Sequence, residues 1–173
     1  MSFTQPSVLV IGVVITGVMF AIVAFFTRAP WKRIISAILA SVPVVPLVML
    51  YDAIATRFGW WSYPSLTTPH APIAWYIAAA LWYGAGLGLI GWRLIRRHRK
   101  KGLAAFLLVV GLFGLFRDLF YSSVTGLIQF GPGVLPLALD FLAYVSAAAL
   151  VQFLMRIIAG PPSTNQLSRK ADH

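Results

Sequence analysis

Three of the four acidic residues in this chain, Asp52, Asp118 and Asp140, lie inside long apolar stretches, and no glutamate accompanies them. A carboxyl group in such surroundings costs about 3 kcal/mol or more, and it is usually paired or functional. Depth along a helix, at about 1.5 Å per residue, puts all three in the same half of a membrane. Asp52 closes the second stretch, Asp140 opens the fifth, and Asp118 sits in the middle to outer part of the fourth. As catalytic candidates they would give and take protons. As structural groups they would pair with Arg117 and Arg57 and fix helix register.

The residues around the acids sharpen both readings. Gly111, Gly114, Asp118, Tyr121, Ser122 and Thr125 recur at spacings of three and four, a small and polar face expected to look into a helix bundle. Asp140 and Tyr144 are four apart and share a face. Arg117 adjoins Asp118 in sequence, but neighbouring helical residues point apart, so Asp118 is expected to escape it. Trp75, Tyr76, Trp82 and Tyr83 form two aromatic pairs seven apart, suited to helix packing or to walling an apolar pocket. The expected substrate-binding set is Trp61, Tyr63, Trp75, Trp82, Arg117, Tyr121 and Tyr144, with aromatic faces able to steady a cation.

Other chemistries find no support. His70 falls in a proline-rich loop, His98 in a basic run and His173 at the end of the chain, without metal-ligand spacing. Cysteine is absent, which removes thiolate and disulfide chemistry. No nucleophile motif accompanies the histidines. Neither a metal nor a cofactor is expected.

Long apolar elements must position these groups. The chain has 173 residues, of which 60% are hydrophobic and only 10% charged, too much apolar surface for a soluble domain of this length to hide. A membrane crossing takes roughly 20 apolar residues. Five stretches qualify: Val8 to Phe26, Ile34 to Thr56, Ile73 to Ile95, Leu103 to Ile128, and Leu135 to Ala159. The expected fold is an all-α integral membrane bundle of five helices. One transmembrane domain spans 1–160, and 161–173 form a polar, disordered tail. Pro43 and Pro46 should kink the second helix. Gly84, Gly88 and Gly91 permit close helix approach, within the chain by preference, with homo- or hetero-oligomers as the alternative.

The net charge of +10 comes mostly from residues at helix ends, the pattern of membrane orientation rather than of nucleic-acid binding. Basic clusters at Arg28 to Arg33, Arg93 to Lys101 and Arg156 to Lys170 alternate with loops holding Arg57 or no basic residue. Positive-inside reasoning puts the N-terminus outside and the C-terminus in the cytoplasm, in the inner (cell) membrane of a bacterium. The first stretch lacks a basic n-region and reads as a retained helix. Trp60, Trp61 and Tyr63 suit an interfacial belt, and Gly131 to Gly133 an outer turn.

Asp52, Ala55, Gly59, Trp61 and Tyr63 follow the pattern D-x-x-A-x-x-x-G-x-W-x-Y/F, with Pro72 beyond a short loop. This resembles a signature of the lycopene cyclase domain family, small integral membrane enzymes of carotenoid synthesis. The family continues from the proline to paired glutamates, where this chain has Ile73, Ala74 and Trp75. The resemblance implies a helical membrane fold and an apolar ligand. Either Asp118 and Asp140 take over the proton chemistry of those glutamates, or the chain is a relative with another role. The leading expectation is a protein that binds an isoprenoid or similar lipid, as a cyclase- or isomerase-like enzyme. A non-catalytic membrane subunit or assembly factor is the alternative, followed by a small proton-coupled transporter.

Overall fold

A computed structural model describes residues 6–66 and 71–162 of the chain. His70, His173 and the tail from 163 onward lie outside the described residues. Helix α1 (Pro6–Thr27) ends where Arg28, at φ 50°, reverses the chain. The amides of Arg28 and Ala29 close back on Phe25 and Ala24, which satisfies two terminal carbonyls. Pro30 then fixes the entry to α2 (Trp31–Ser41), and α3 (Val44–Arg57) follows at once. Within the stretch expected as one kinked helix, the ladder is interrupted at Val42 and Pro43, which keep helical backbone angles. Proline lacks the N–H that would have continued the ladder.

Beyond α3 a two-residue strand, β1 (Trp61–Ser62), precedes α4 (Ile73–Ala79). A π-helical segment (Ala80–Gly86) joins α4 to α5 (Leu87–Thr125). Strand β2 (Gln129–Phe130) and α6 (Leu135–Ala159) complete the order. Helix α5 is not straight: Arg99 takes φ 52° and ψ −128°, and the chain folds back there. On a straight helix, Tyr83 and Arg117 would stand roughly 50 Å apart, yet their side chains are hydrogen-bonded at 2.9 Å. The basic loop expected between Ile95 and Leu103 shrinks to this turn. It is tight enough that a Cβ at Gly102 would collide with the Leu94 carbonyl.

The expected end at Ile128 also moves. Gly126, at φ 61°, caps α5 after Thr125, and Ile128 turns inward against Ala55 and Trp61. Next to it, β1 and β2 pair antiparallel, Trp61 opposite Phe130 and Ser62 opposite Gln129. This short ladder ties the loop after α3 to the loop after α5. It marks one end of the bundle, here the strand end. The opposite end carries Arg28, the Arg99 turn and the last turn of α6, and is the basic end.

Four helical stretches are long and apolar enough to cross a membrane: Val10–Thr27, Trp31–Arg57, Ile73–Thr125 and Leu135–Ala159. The third has 53 residues and folds back at Arg99. Their outward faces bear Val14, Val18, Phe25, Leu39, Phe116 and Phe153, all exposed, as expected when lipid is the surrounding solvent. The interior is built on small residues. Gly84 abuts Ser41, Gly88 abuts Val151, and Gly91 abuts Phe106 and Gln152. The glycine face thus packs within the chain, around Leu89, Trp92, Val151 and Met155. The Gln152 amide donates to the Gly88 carbonyl at 2.8 Å, a polar tie across the α5–α6 contact.

Candidate functional site

The strand end holds two carboxylate clusters. The first is centred on Asp52, one turn from the end of α3. Its Oδ1 accepts from the Trp61 indole and the Tyr63 hydroxyl, each at 2.7 Å, and its Oδ2 accepts from the Tyr76 hydroxyl. Asp52 is only 3% exposed, so these donors replace water around the carboxylate. The antiparallel pairing of β1 holds Trp61 in place, and Trp61 packs edge-on against Phe130 at 6.4 Å. Burial pushes the Tyr63 phenol well above its ordinary range. The charge and hydrogen bond of Asp52 push it further, with smaller contributions from Tyr76 and Asp118. Tyr63 is therefore a fixed donor to Asp52.

The second cluster joins α5, α6 and the π segment. Arg117 donates through Nε and Nη2 to Asp118 Oδ1, at 2.8 and 2.5 Å. Its Nη1 donates to the Tyr83 hydroxyl at 2.9 Å, and its Nη2 also reaches the Tyr144 hydroxyl. Tyr144 in turn donates to Asp118 Oδ2 at 2.7 Å. The guanidinium carbon lies 4.9 Å from the Tyr83 ring centre, 5.4 Å from that of Tyr144 and 5.8 Å from that of Tyr121. Asp140 shares a side-chain hydrogen bond with Asp118 and is 5% exposed. Its Oδ2 is buried with no hydrogen-bond partner among the described residues.

Local sequence explains how α6 and the π segment come this close. Gly111 and Gly114 leave room for the Phe141 and Tyr144 rings, and a Cβ at Gly114 would overlap the Tyr144 ring. The π segment widens the helix between Tyr76 and Tyr83, which serve different clusters from one continuous element. Segments of this kind often occur at functional sites.

The expectation that Asp118 escapes Arg117 is overturned. Neighbouring Cβ atoms do diverge, but the long arginine side chain curls back around the helix and brings its guanidinium onto the adjacent carboxylate. The polar face of the same helix looks inward only as far as Asp118. Above it Tyr121 and Thr125 are exposed, because α6 begins too late to cover them. Tyr121 keeps its ring on Arg117. Trp61 and Tyr63 are donors to Asp52, Tyr144 belongs to the second cluster, and Trp82 lines an apolar groove. Trp75 is half-buried and hydrogen-bonds to neither cluster.

That groove, about 470 Å³, lies between the two arms of the α5 hairpin. It is lined by Trp82, Leu87, Ile90 and Leu94 on one side and by Ala105, Phe106, Val109, Val110 and Phe113 on the other. Phe106, Val110, Phe113 and Arg117 are spaced four, three and four apart, so Arg117 stands one turn beyond Phe113 on the groove face. The Phe113 ring is 6.3 Å from that of Tyr83. Phe113 therefore links the groove wall to a tyrosine of the second cluster. Tyr83 and Phe113 were not among the expected binding residues. The seven-residue repeat through Tyr76 and Tyr83 was the available signal for the tyrosine.

At the basic end, Arg33 lies inside α2 rather than in a loop and is only 1% exposed. It donates to the carbonyls of Met155, Ala159, Gly160 and Pro161 at 3.0 to 3.3 Å, closing the end of α6. Arg96 donates to the Pro162 carbonyl beside it. These bonds are structural ties.

No family model, curated protein or solved structure matches this chain. Of the five motif residues, Asp52, Trp61 and Tyr63 belong to the Asp52 cluster and Gly59 leads into β1.

Proposed function

We propose that this is a membrane-spanning protein that binds an isoprenoid or similar lipid along the α5 hairpin. The end of the ligand lies at the Arg117–Asp118–Asp140 cluster. The observation that carries this reading is an apolar groove whose Phe113 packs against Tyr83 of a buried polar cluster. Ligand sites are mostly apolar concavities with a few convergent polar groups. Here the groove suits a hydrocarbon chain, while the cluster supplies carboxyl groups and tyrosine rings. In a cyclase- or isomerase-like reaction, Asp140 and Asp118 would give or take a proton. Asp52, held by three donors, positions the loop instead of reacting.

The protein is to be purified in mild detergent and its bound lipid extracted for mass spectrometry. A stoichiometric isoprenoid is expected, and it should be lost when Ala105→Trp fills the groove. Ordinary phospholipid alone, unchanged by Ala105→Trp, would favour a non-catalytic subunit.

The same reading has five crossings, the 53-residue stretch supplying two, with the N-terminus outside and the C-terminus in the cytoplasm of a bacterial cell. Because the chain has no cysteine, single cysteines report without background. Ser65→Cys at the strand end should react with an impermeant reagent in intact cells, and Lys100→Cys at the basic end should not. Equal labelling of both from outside would refute the arrangement.

A further inference from the structure

The apolar groove has a second end, at the basic turn of α5. Its lining residues nearest that turn are Leu94 and Ala105, and those farthest from it are Trp82 and Phe113. A helix rises about 12 Å from Ala105 to Phe113, close to half of a hydrocarbon core about 30 Å thick. The groove is thus one leaflet deep. Its floor at Phe106 and Val110 is buried, while Ala105 and Val109 on the rim are exposed. Helical spacing carries both walls on to cations. Leu87, Ile90, Leu94 and Arg97 are three, four and three apart, and Lys101, Ala105, Val109 and Phe113 are each four apart. Arg97 and Lys101 therefore stand one turn beyond the lining, one on each wall, and both are exposed. Between them Arg99, also exposed, has φ 52° and ψ −128°, the backbone of a turn position that glycine usually fills. Strain of this kind concentrates at functional sites. Among the described residues the basic end holds no carboxylate, since Asp52, Asp118 and Asp140 all lie towards the strand end.

The lipid reading above, on which this step rests, sets one end of the ligand at the Arg117–Asp118–Asp140 cluster. We infer that the opposite end is a phosphate or diphosphate head held at the α5 turn between Arg97 and Lys101. The ligand is then an anionic isoprenoid of the basic-side leaflet, with its chain in the groove and its head at the membrane surface. Cations beside a membrane surface favour anionic lipid heads, and arginine and lysine both suit phosphate oxygens. The reverse orientation would bring the phosphate to two carboxyl groups. Arg117, the cation there, already makes four N–H···O contacts to Asp118, Tyr83 and Tyr144.

The test uses the full-length protein in phosphatidylcholine nanodiscs and two radiolabelled probes with the same chain, geranylgeranyl diphosphate and geranylgeraniol. The diphosphate should bind about thirtyfold more tightly, as expected for two cations near a membrane surface. This preference should shrink when salt is raised from about 0.1 M to about 1 M, which shortens the Debye length from about 10 Å to about 3 Å. Arg97→Gln combined with Lys101→Gln should reduce the diphosphate to the affinity of the alcohol. Unchanged binding of the alcohol would report an intact fold. The control pair Lys32→Gln and Arg156→Gln, exposed at the same end but off the groove, should keep the preference.

Equal affinity for the two probes, both lost in Ala105→Trp, would overturn the phosphate head and leave the groove reading intact. A preference reduced as far by the control pair as by the Arg97 and Lys101 pair would overturn it as well, because surface charge alone would then be at work. Phosphatidylglycerol that displaces the diphosphate at equal concentration would overturn the isoprenoid in favour of an ordinary phospholipid. Binding of neither probe would overturn both readings.

Discussion

Asp52 and Asp140 are the same residue type, in the same half of the bundle, both nearly buried and both near tyrosines, yet their surroundings differ in one countable way. Asp52 receives an indole and two phenol donors, and neither of its oxygens is left over. Asp140 has an oxygen with no partner among the described residues. Donor supply explains the contrast. The loop after α3 carries Trp61 and Tyr63 directly over Asp52, whereas the donors near Asp140 are already engaged by Asp118. A saturated carboxylate fixes a fold; Asp140 instead leans on its carboxyl neighbour, with which it shares a side-chain hydrogen bond. Asp118 stands between them, fully partnered but shared with the open cluster.

The largest effect should follow from emptying the saturated site. Asp52→Leu would leave three buried donors without an acceptor and detach the β1 loop from α3 and α4. Hydrogen bonds to a charged group contribute about 1.5–3 kcal/mol each and are not additive in a shared network, so a loss of about 4 kcal/mol is expected. Thermal unfolding followed by tryptophan near-ultraviolet circular dichroism would show it, with the Trp61 environment lost first. A variant as stable as the wild type would show that Asp52 is not the latch.

Asp118→Asn should cost less, about 2–3 kcal/mol. It strands the Arg117 charge, but the arginine side chain is 31% exposed and solvent screens part of that penalty. The companion change Arg117→Met, combined with Asp118→Asn, should recover part of the loss, because it removes the uncompensated cation. A double variant no better than Asp118→Asn would mean that the pair contributes by packing alone.

Part of this contrast is legible in the amino-acid sequence. The apolar runs and the depths of Asp52, Asp118 and Asp140 follow from hydropathy and helical rise, which are local properties. The break at Pro43 and the inward glycine face of Gly84, Gly88 and Gly91 follow likewise. What hydropathy does not encode is long-range pairing. The β1–β2 ladder joins Trp61 to Phe130 through a register set by tertiary contact, and nothing local in either dipeptide announces a strand. The π segment is similarly invisible, since its extra residue per turn alters no residue type. The Arg117–Asp118 bond defeats a rule written for Cβ directions, because a long, flexible side chain can travel around the helix. Arg33 looks like a loop charge until the end of α6 is placed beside it. Donor counting, which separates Asp52 from Asp140, needs the fold.

The smallest stability effect should come from Asp140→Asn, and it bears most directly on the comparison. A buried carboxyl oxygen without a partner has lost its hydration and gained no hydrogen bond in return. Asp140 already shares a side-chain hydrogen bond with Asp118, and an amide of nearly the same shape can keep a donor there. The net change should lie within about 0.5 kcal/mol, a shift of only about 1–2 °C in Tm for a chain of this size. The amide has no acidic proton, however, so proton transfer to a bound isoprenoid should disappear while lipid binding persists. Expression in cells that accumulate linear polyenes, with pigment analysis of wild type and variant, reads the proton step; extraction of the purified variant reads the binding. If Asp140→Asn unfolds the protein as severely as Asp52→Leu does, the two carboxylates are equivalent structural ties and the distinction between the clusters fails.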